Sequence, residues 1–277
     1  YLRYENYAEA KEAIDAASGN ATTSDWWKTH YIKGQVYSAI AKSTDPAVSG
    51  LDTEALSKAV DGFEKTLTYE DKRMDKAEIK GKYRSLVNVA FSDGVTKYNA
   101  KEFDASIKSF KIAEKINVAN GIIDTGLTYN IVLVALDGNK NDVAMEYLNK
   151  CIEGGIKGSS PYASKAKLQA ESGDEDGALA TLKIGREKYP NDQAMLTQEL
   201  NIYLKNGKMD EALANLNVAI ENDPTNHIFY FARGTIYDNK GDMDNATANY
   251  IKAGELKPDH FDSFYNCFYI MLLITTF

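Results

Sequence analysis

The side chains in this 277-residue sequence with most capacity for chemistry are three histidines, His30, His227 and His260, and two cysteines, Cys151 and Cys267. A histidine acts as a general base or a metal ligand only when a second suitable group stands at the right spacing. None of the three lies in an HExxH pattern or beside a serine or cysteine nucleophile motif, and no GxxxxGK[ST] loop is present to cradle a phosphate. His260 with Asp259 and Asp262 reads as helix capping rather than a metal set. The acidic run from Glu171 to Asp176 lacks the alternating ligands and terminal Glu of a calcium loop, so it reads as a solvated turn and helix start. The two cysteines are 116 residues apart and make no CxxC pair. The residues therefore assign no catalytic group, no metal and no cofactor, and the chain is expected not to be an enzyme.

Charge narrows the partners. There are 32 basic against 40 acidic side chains, a net charge of −8, which argues against nucleic acid. With 44% hydrophobic and 26% charged residues the chain can bury a core. Its most apolar stretch, residues 268–274, is far shorter than the roughly 20 residues that span a bilayer.

The elements that must position any site are read from a repeat. Pro190, Pro224 and Pro258 stand 34 residues apart. The same interval separates Gly173, Gly207 and Gly241, then Ala144, Ala178, Ala212 and Ala246, then Leu148, Leu182, Leu216 and Tyr250. Ala246, Tyr250 and Ala253 fall at i, i+4 and i+7 of one helix, and Tyr230, Gly234 and Tyr237 do so on the segment before, so each unit is two helices. Gly241 suits the left-handed turn between them, and Pro258 disfavours helix at Lys257.

These columns resemble the tetratricopeptide repeat family. The unit 227–260 carries its pattern as Tyr230, Gly234, Tyr237, Gly241, Ala246, Tyr250, Ala253 and Pro258; the unit 193–226 carries Leu196, Leu200, Tyr203, Gly207, Ala212, Leu216, Ala219 and Pro224. Units 159–192 and 125–158 follow with departures, Gln169 in place of Tyr in the first, Asn139 at the turn and Ile156 in place of Pro in the second. Residues 27–124 hold divergent repeats, with an insertion near 43–52 expected as a surface loop and a first helix expected to begin near Lys76. Residues 1–26 read as a partial repeat that looks cut at its start, and 261–277 as an incomplete terminal helix. The resemblance implies an all-α fold, a right-handed superhelical solenoid of antiparallel helix pairs spanning residues 1–277 as one domain.

It also implies a scaffold that binds a protein or peptide segment on a concave face lined by first helices. The groove positions that the family nominates here are Tyr31, Tyr129, Leu133, Lys167, Asn201, Lys205, Phe231, Thr235 and Tyr265. Their aromatics could supply contact area or simply pack on neighbouring helices, and Lys167, Asn201 and Lys205 could hold a carboxylate or a peptide backbone. The family's clamp for acidic chaperone tails is absent, because Thr197 and Ala232 stand where Lys and Asn would be needed. Two alternatives remain: self-association through the apolar segment from Phe264 to Phe277, and carbohydrate or small-ligand binding by the groove aromatics. An exported, periplasmic or cell-envelope protein is the expected setting, with a cytoplasmic one as the alternative.

Overall fold

A computed structural model describes residues 6–190, 192–259, 262, 265 and 266. Every regular element among them is helical: α1 (Tyr7–Gly19), α2 (Trp27–Lys42), α3 (Pro46–Ser49), α4 (Ala55–Leu67), α5 (Lys76–Arg84), α6 (Leu86–Asn99), α7 (Phe103–Ala119), α8 (Thr125–Asp137), α9 (Asn141–Glu153), α10 (Ser160–Glu171), α11 (Glu175–Lys188), α12 (Gln193–Lys205), α13 (Met209–Asn222), α14 (His227–Asn239) and α15 (Met243–Leu256). Short polar residues start many of them. The side chains of Asp75, Asp124, Asp174, Asp192 and Asp242 each accept from a backbone N–H three residues on, satisfying a donor that the first turn leaves unpaired.

The chain divides into two compact units, Tyr1–Lys150 and Cys151–Phe277. In the first, α2 packs on α4, and α6 on α7, as antiparallel pairs, with α1 against α2 and α8 against α7. A glycine of the first helix admits an aromatic ring of the second in both pairs: a Cβ on Gly34 would lie 2.7 Å from Phe63, and one on Gly94 would lie 2.7 Å from Phe110. The inserted stretch is not wholly loop. Asp45 caps Ala47 and Pro46 presets the first turn, which together form the single turn α3. The early-starting helix near Lys76 divides at Ser85 into α5 and α6.

In the second unit α10/α11, α12/α13 and α14/α15 are the pairs, and α10 also packs on α12. Leu196, Leu216, Ala219, Phe229 and Ile236 form one core cluster, and Tyr162, Ala178, Leu182 and Met195 another. In α14 Phe229 and Ile236 go deepest. Tyr230 stays half-buried, since its hydroxyl donates to the Pro224 carbonyl at 3.2 Å and Arg233 lies 5.5 Å over its ring.

The turns show what the periodic glycines do. Gly173, Gly207 and Gly241 adopt φ of +89°, +67° and +77°, where an L side chain is strained. Asn139, one period earlier, takes the same conformation at φ +53°, and Lys101 takes it in the α6–α7 turn at φ +62°. Downstream, Lys257 is extended after α15 ends, as expected before a proline. The segment from Phe264 onward, apart from Tyr265 and Asn266, lies outside the described residues, as does His260.

Candidate functional site: a groove between α10 and α12

Three of the residues nominated from the sequence converge. Lys167 on α10, with Asn201 and Lys205 on α12, line one open cavity of about 530 Å³ in the second unit. Ala166 and Ala170 of α10 and Ile202 of α12 supply its apolar lining, and Glu171, Glu175 and Gln198 complete it. The arrangement follows from helix periodicity, since Gln198, Asn201 and Lys205 fall at i, i+3 and i+7 of one face. Opposite them the small side chains of α10 leave the room in which a ligand could lie.

Charge in this groove is balanced by its own members. Lys205 donates to Glu175 at 2.7 Å, and Asn206 donates to the other oxygen of the same carboxylate. Those two donors hold the Glu175 carboxyl below the usual carboxylate range. Lys167 stands 3.8 Å from Glu171, one turn along α10. Two polar groups are not so engaged. The Gln198 Oε1 is buried and has no hydrogen-bond partner, and the Asn201 amide is exposed with none among the described residues.

Beneath the groove lies a stiff support. Arg186 of α11 donates to both Glu199 of α12 and Asn215 of α13, and Asn215 Nδ2 donates to Glu199 at 2.6 Å. Only 13% of the Arg186 side chain and 7% of that of Glu199 are exposed, so the network is shielded from water and fixes α12 between its neighbours.

The remaining nominated residues stand elsewhere. Tyr31 packs against Trp27 and Phe63, with ring centroids 6.3 and 6.2 Å away, and its hydroxyl donates to Glu78 at 2.9 Å. Burial, with the Glu78 carboxylate beside it, raises its pKa to about 12. On α8 Tyr129 is half-buried and Leu133 is 44% exposed; with Phe91 and Val95 on α6 they give the first unit an apolar face. α6 and α8 are joined where the Tyr98 hydroxyl donates to Asp137 at 2.5 Å. In the second unit the Phe231 ring lies 5.6 Å from Tyr250, the Thr235 hydroxyl donates to the Phe231 carbonyl at 3.1 Å, and Tyr265 is exposed.

A smaller cavity of about 240 Å³ in the first unit contains Asp52, Asp93, Lys97, Lys108 and Ser109, whose charges are engaged with one another or close by: Lys97 donates to Asp93 at 2.7 Å, Lys58 to Asp52 at 2.6 Å and Lys108 to Glu54 at 2.6 Å. Among the described residues no three His, Cys, Asp or Glu side chains are grouped to hold a metal ion, and no helix is long and apolar enough to cross a membrane. Cys151 is buried, and burial pushes its thiol pKa up.

Column reading did not find Gln198, Glu171 or Glu175. Gln198 shares a helix face with Asn201, three residues before it, but the missing partner of its Oε1 shows only in the packed fold. The pairing of Glu175 with Lys205 joins different helices and needed the fold.

Comparison with known proteins agrees on the repeat. A model described as TPR repeat matches residues 201–241, and one described as Tetratricopeptide repeat matches residues 228–260. No curated protein matches the sequence. Among solved structures, a TPR repeats protein from Bacteroides fragilis is 16% identical, with 68% of this chain and 98% of that one covered at a TM-score of 0.49. YrrB, a TPR protein with an unusual peptide-binding site, is 16% identical over 69% and 97% at a TM-score of 0.46. A thermophilic TPR protein of Thermus thermophilus is 21% identical over 67% and 99% at a TM-score of 0.40. Likenesses of this degree say nothing of ligand or activity. Residues 201–260 thus carry tetratricopeptide repeats, and helix pairs continue upstream of them.

Proposed function

We propose that the chain is a non-enzymatic interaction scaffold, and that its second unit binds a segment of a partner protein in the groove between α10 and α12. The observation that carries this reading is that Lys167, Asn201 and Lys205, drawn from two helices, line one cavity of about 530 Å³, within the range of about 300–1,000 Å³ typical of ligand sites. A mixed lining of small apolar side chains, amides and paired charges suits a polypeptide segment, whose backbone offers donors and acceptors and whose side chains offer apolar bulk. Acidic overall charge weighs against nucleic acid as the partner.

Selection from a displayed library of random twelve-residue peptides tests this. Peptides enriched on the natural chain should bind Asn201→Trp at least tenfold more weakly, because the indole fills the groove from an exposed position where the fold tolerates it, with an unchanged thermal midpoint as the control. If no peptide is enriched, or the enriched ones bind Asn201→Trp equally well, the groove is not the site.

A further inference from the structure

The insertion that interrupts the repeat builds one wall of the cavity of about 240 Å³ in the first unit. Ser49 of α3 and Asp52 close a space bounded elsewhere by Ala41 of α2, the first turn of α4 and the facing turns of α6 and α7. Other helix pairs are joined by only three residues, as at 240–242, and have no such wall. Asp52 fixes this one: its carboxylate accepts from the Glu54 N–H at 2.9 Å and from Lys58 at 2.6 Å, and Lys11 of α1 stands 3.7 Å away.

The charges of the cavity are already matched. Asp93 Oδ2 accepts from Lys97 at 2.7 Å and from the Ser109 hydroxyl, and Lys108 reaches from α7 to Glu54 at 2.6 Å. A cation would have to displace Lys97 from Asp93, and an anion would have to draw Lys108 from Glu54. What stays open is hydrogen-bonding capacity within reach of solvent. The Asp93 side chain is 33% exposed and its Oδ1 has no partner among the described residues; nor do the hydroxyls of exposed Thr53 and half-buried Ser57. Leu56, Val89 and Ile112 line the same space with hydrocarbon.

We propose that this cavity is a small-molecule site, separate from the α10/α12 groove, and that its ligand is a neutral polyhydroxy compound of the size of one sugar ring. The space equals about eight waters at ~30 Å³ each, enough for such a ring. Ligand hydroxyls donate to Asp93 Oδ1 and exchange donor and acceptor roles with Ser57 and Thr53, while the C–H face lies on Leu56, Val89 and Ile112. A sugar acid or amino sugar brings a charge for which the lining holds no free counter-charge.

Titration calorimetry of the full chain tests this with glucose, galactose, mannose, xylose, myo-inositol and mannitol, and with glucuronate and glucosamine as charged counterparts. At least one neutral compound should bind with a Kd of about 1 mM or tighter. Ser57→Leu fills the cavity from its half-buried position. Asp93→Asn keeps the shape but turns an amide donor toward the ligand, because its single oxygen is held by Lys97 and Ser109. Each should weaken binding at least about tenfold, with the thermal midpoint of the free chain unchanged, whereas Asn201→Trp in the second unit should leave binding as it is. Should Ser57→Leu lower the midpoint, Asp93→Asn decides alone. Binding by none of the neutral compounds, equal binding to Asp93→Asn and the natural chain, tighter binding of glucuronate or glucosamine than of every neutral compound, or loss of binding in Asn201→Trp would overturn the proposal.

Discussion

The two units brace themselves with different chemistry. In the first, tyrosine hydroxyls donate to carboxylates on other helices or loops: Tyr31 to Glu78, Tyr37 to Asp15, Tyr69 to Asp25, Tyr83 to Glu64, Tyr98 to Asp137 and Tyr147 to Glu114. In the second, the comparable Tyr250–Asp238 contact is stretched to 3.5 Å, and the cross-links run through arginine and amides instead. Arg186 joins Glu199 and Asn215; Arg233 donates to Asn249 at 2.8 Å and to Asn217 at 2.7 Å. A tyrosine–carboxylate pair satisfies both partners and leaves a ring to pack. An amide holds donors and acceptors in excess of what one contact uses, so amide-rich helices can keep polar capacity in reserve. Buried polar atoms without a partner nevertheless occur in both units, His30 Nε2 in the first and Gln198 Oε1 and Thr247 Oγ1 in the second.

The sharpest way to break the comparison is to remove the carboxylate at the centre of the second unit's network. Glu199→Ala leaves Arg186 buried without its counter-charge and should cost about 3–5 kcal/mol in urea unfolding. Glu78→Gln, which weakens an exposed tyrosine pair in the first unit, should cost less than about 1 kcal/mol. Similar losses for both would show that the two kinds of brace are equivalent.

Packing supplies the next effect. A Cβ on Gly62 would lie 2.6 Å from the backbone nitrogen of Gly34, whereas one on Gly234 would meet chiefly the Tyr250 ring at 2.9 Å. Backbone yields less readily than a side chain, so Gly62→Ala should lower stability by about 1–3 kcal/mol and Gly234→Ala by less. The reverse order in thermal unfolding would contradict this account of the α2/α4 crossing.

Turn residues can be exchanged between the units. Lys101→Gly, at φ +62°, should stabilise by about 1 kcal/mol, and Gly207→Lys, at φ +67°, should destabilise by about 1–2 kcal/mol. No change in either would mean that the left-handed turns are not strained by side chains.

Alkali should act mainly on the first unit. Burial and Glu78 raise Tyr31 to about 12, and the hydrogen bond to Asp25 raises Tyr69 to about 12, from an ordinary value near 10. A raised folded-state pKa means that these tyrosines contribute full stability below about pH 10 and lose it as pH rises toward about 12. Ultraviolet difference titration of the natural chain against Tyr31→Phe should show one late-ionising tyrosine fewer; titration of Tyr31 at the ordinary value would contradict it.

How much could be read beforehand follows the regularity of the repeat. In the second unit the columns at 34-residue spacing place Ala178, Ala212 and Ala246, with Leu182, Leu216 and Tyr250, and all six are buried. In the first unit the period is interrupted. Asp45 and Pro46 start a turn of helix inside the insertion, and Ser85 divides a helix in two, local effects that a spacing argument passes over. Lys101 hides a turn that glycine would have advertised. At the groove, Lys167, Asn201 and Lys205 were nominated by the family resemblance, and the three line one cavity. Gln198 was not, because what distinguishes it is the lack of a partner for one atom, and only the packed helices reveal that.

The central claim, that the α10/α12 groove receives a polypeptide segment, is tested most directly by photo-crosslinking. A selected peptide carrying a benzoylphenylalanine would be irradiated on the intact chain and the adducts mapped by mass spectrometry. The account predicts adducts within residues 166–171 and 198–205, abolished by Asn201→Trp. Adducts instead on the apolar face of α6 and α8, around Phe91, Val95 and Leu133, would contradict it.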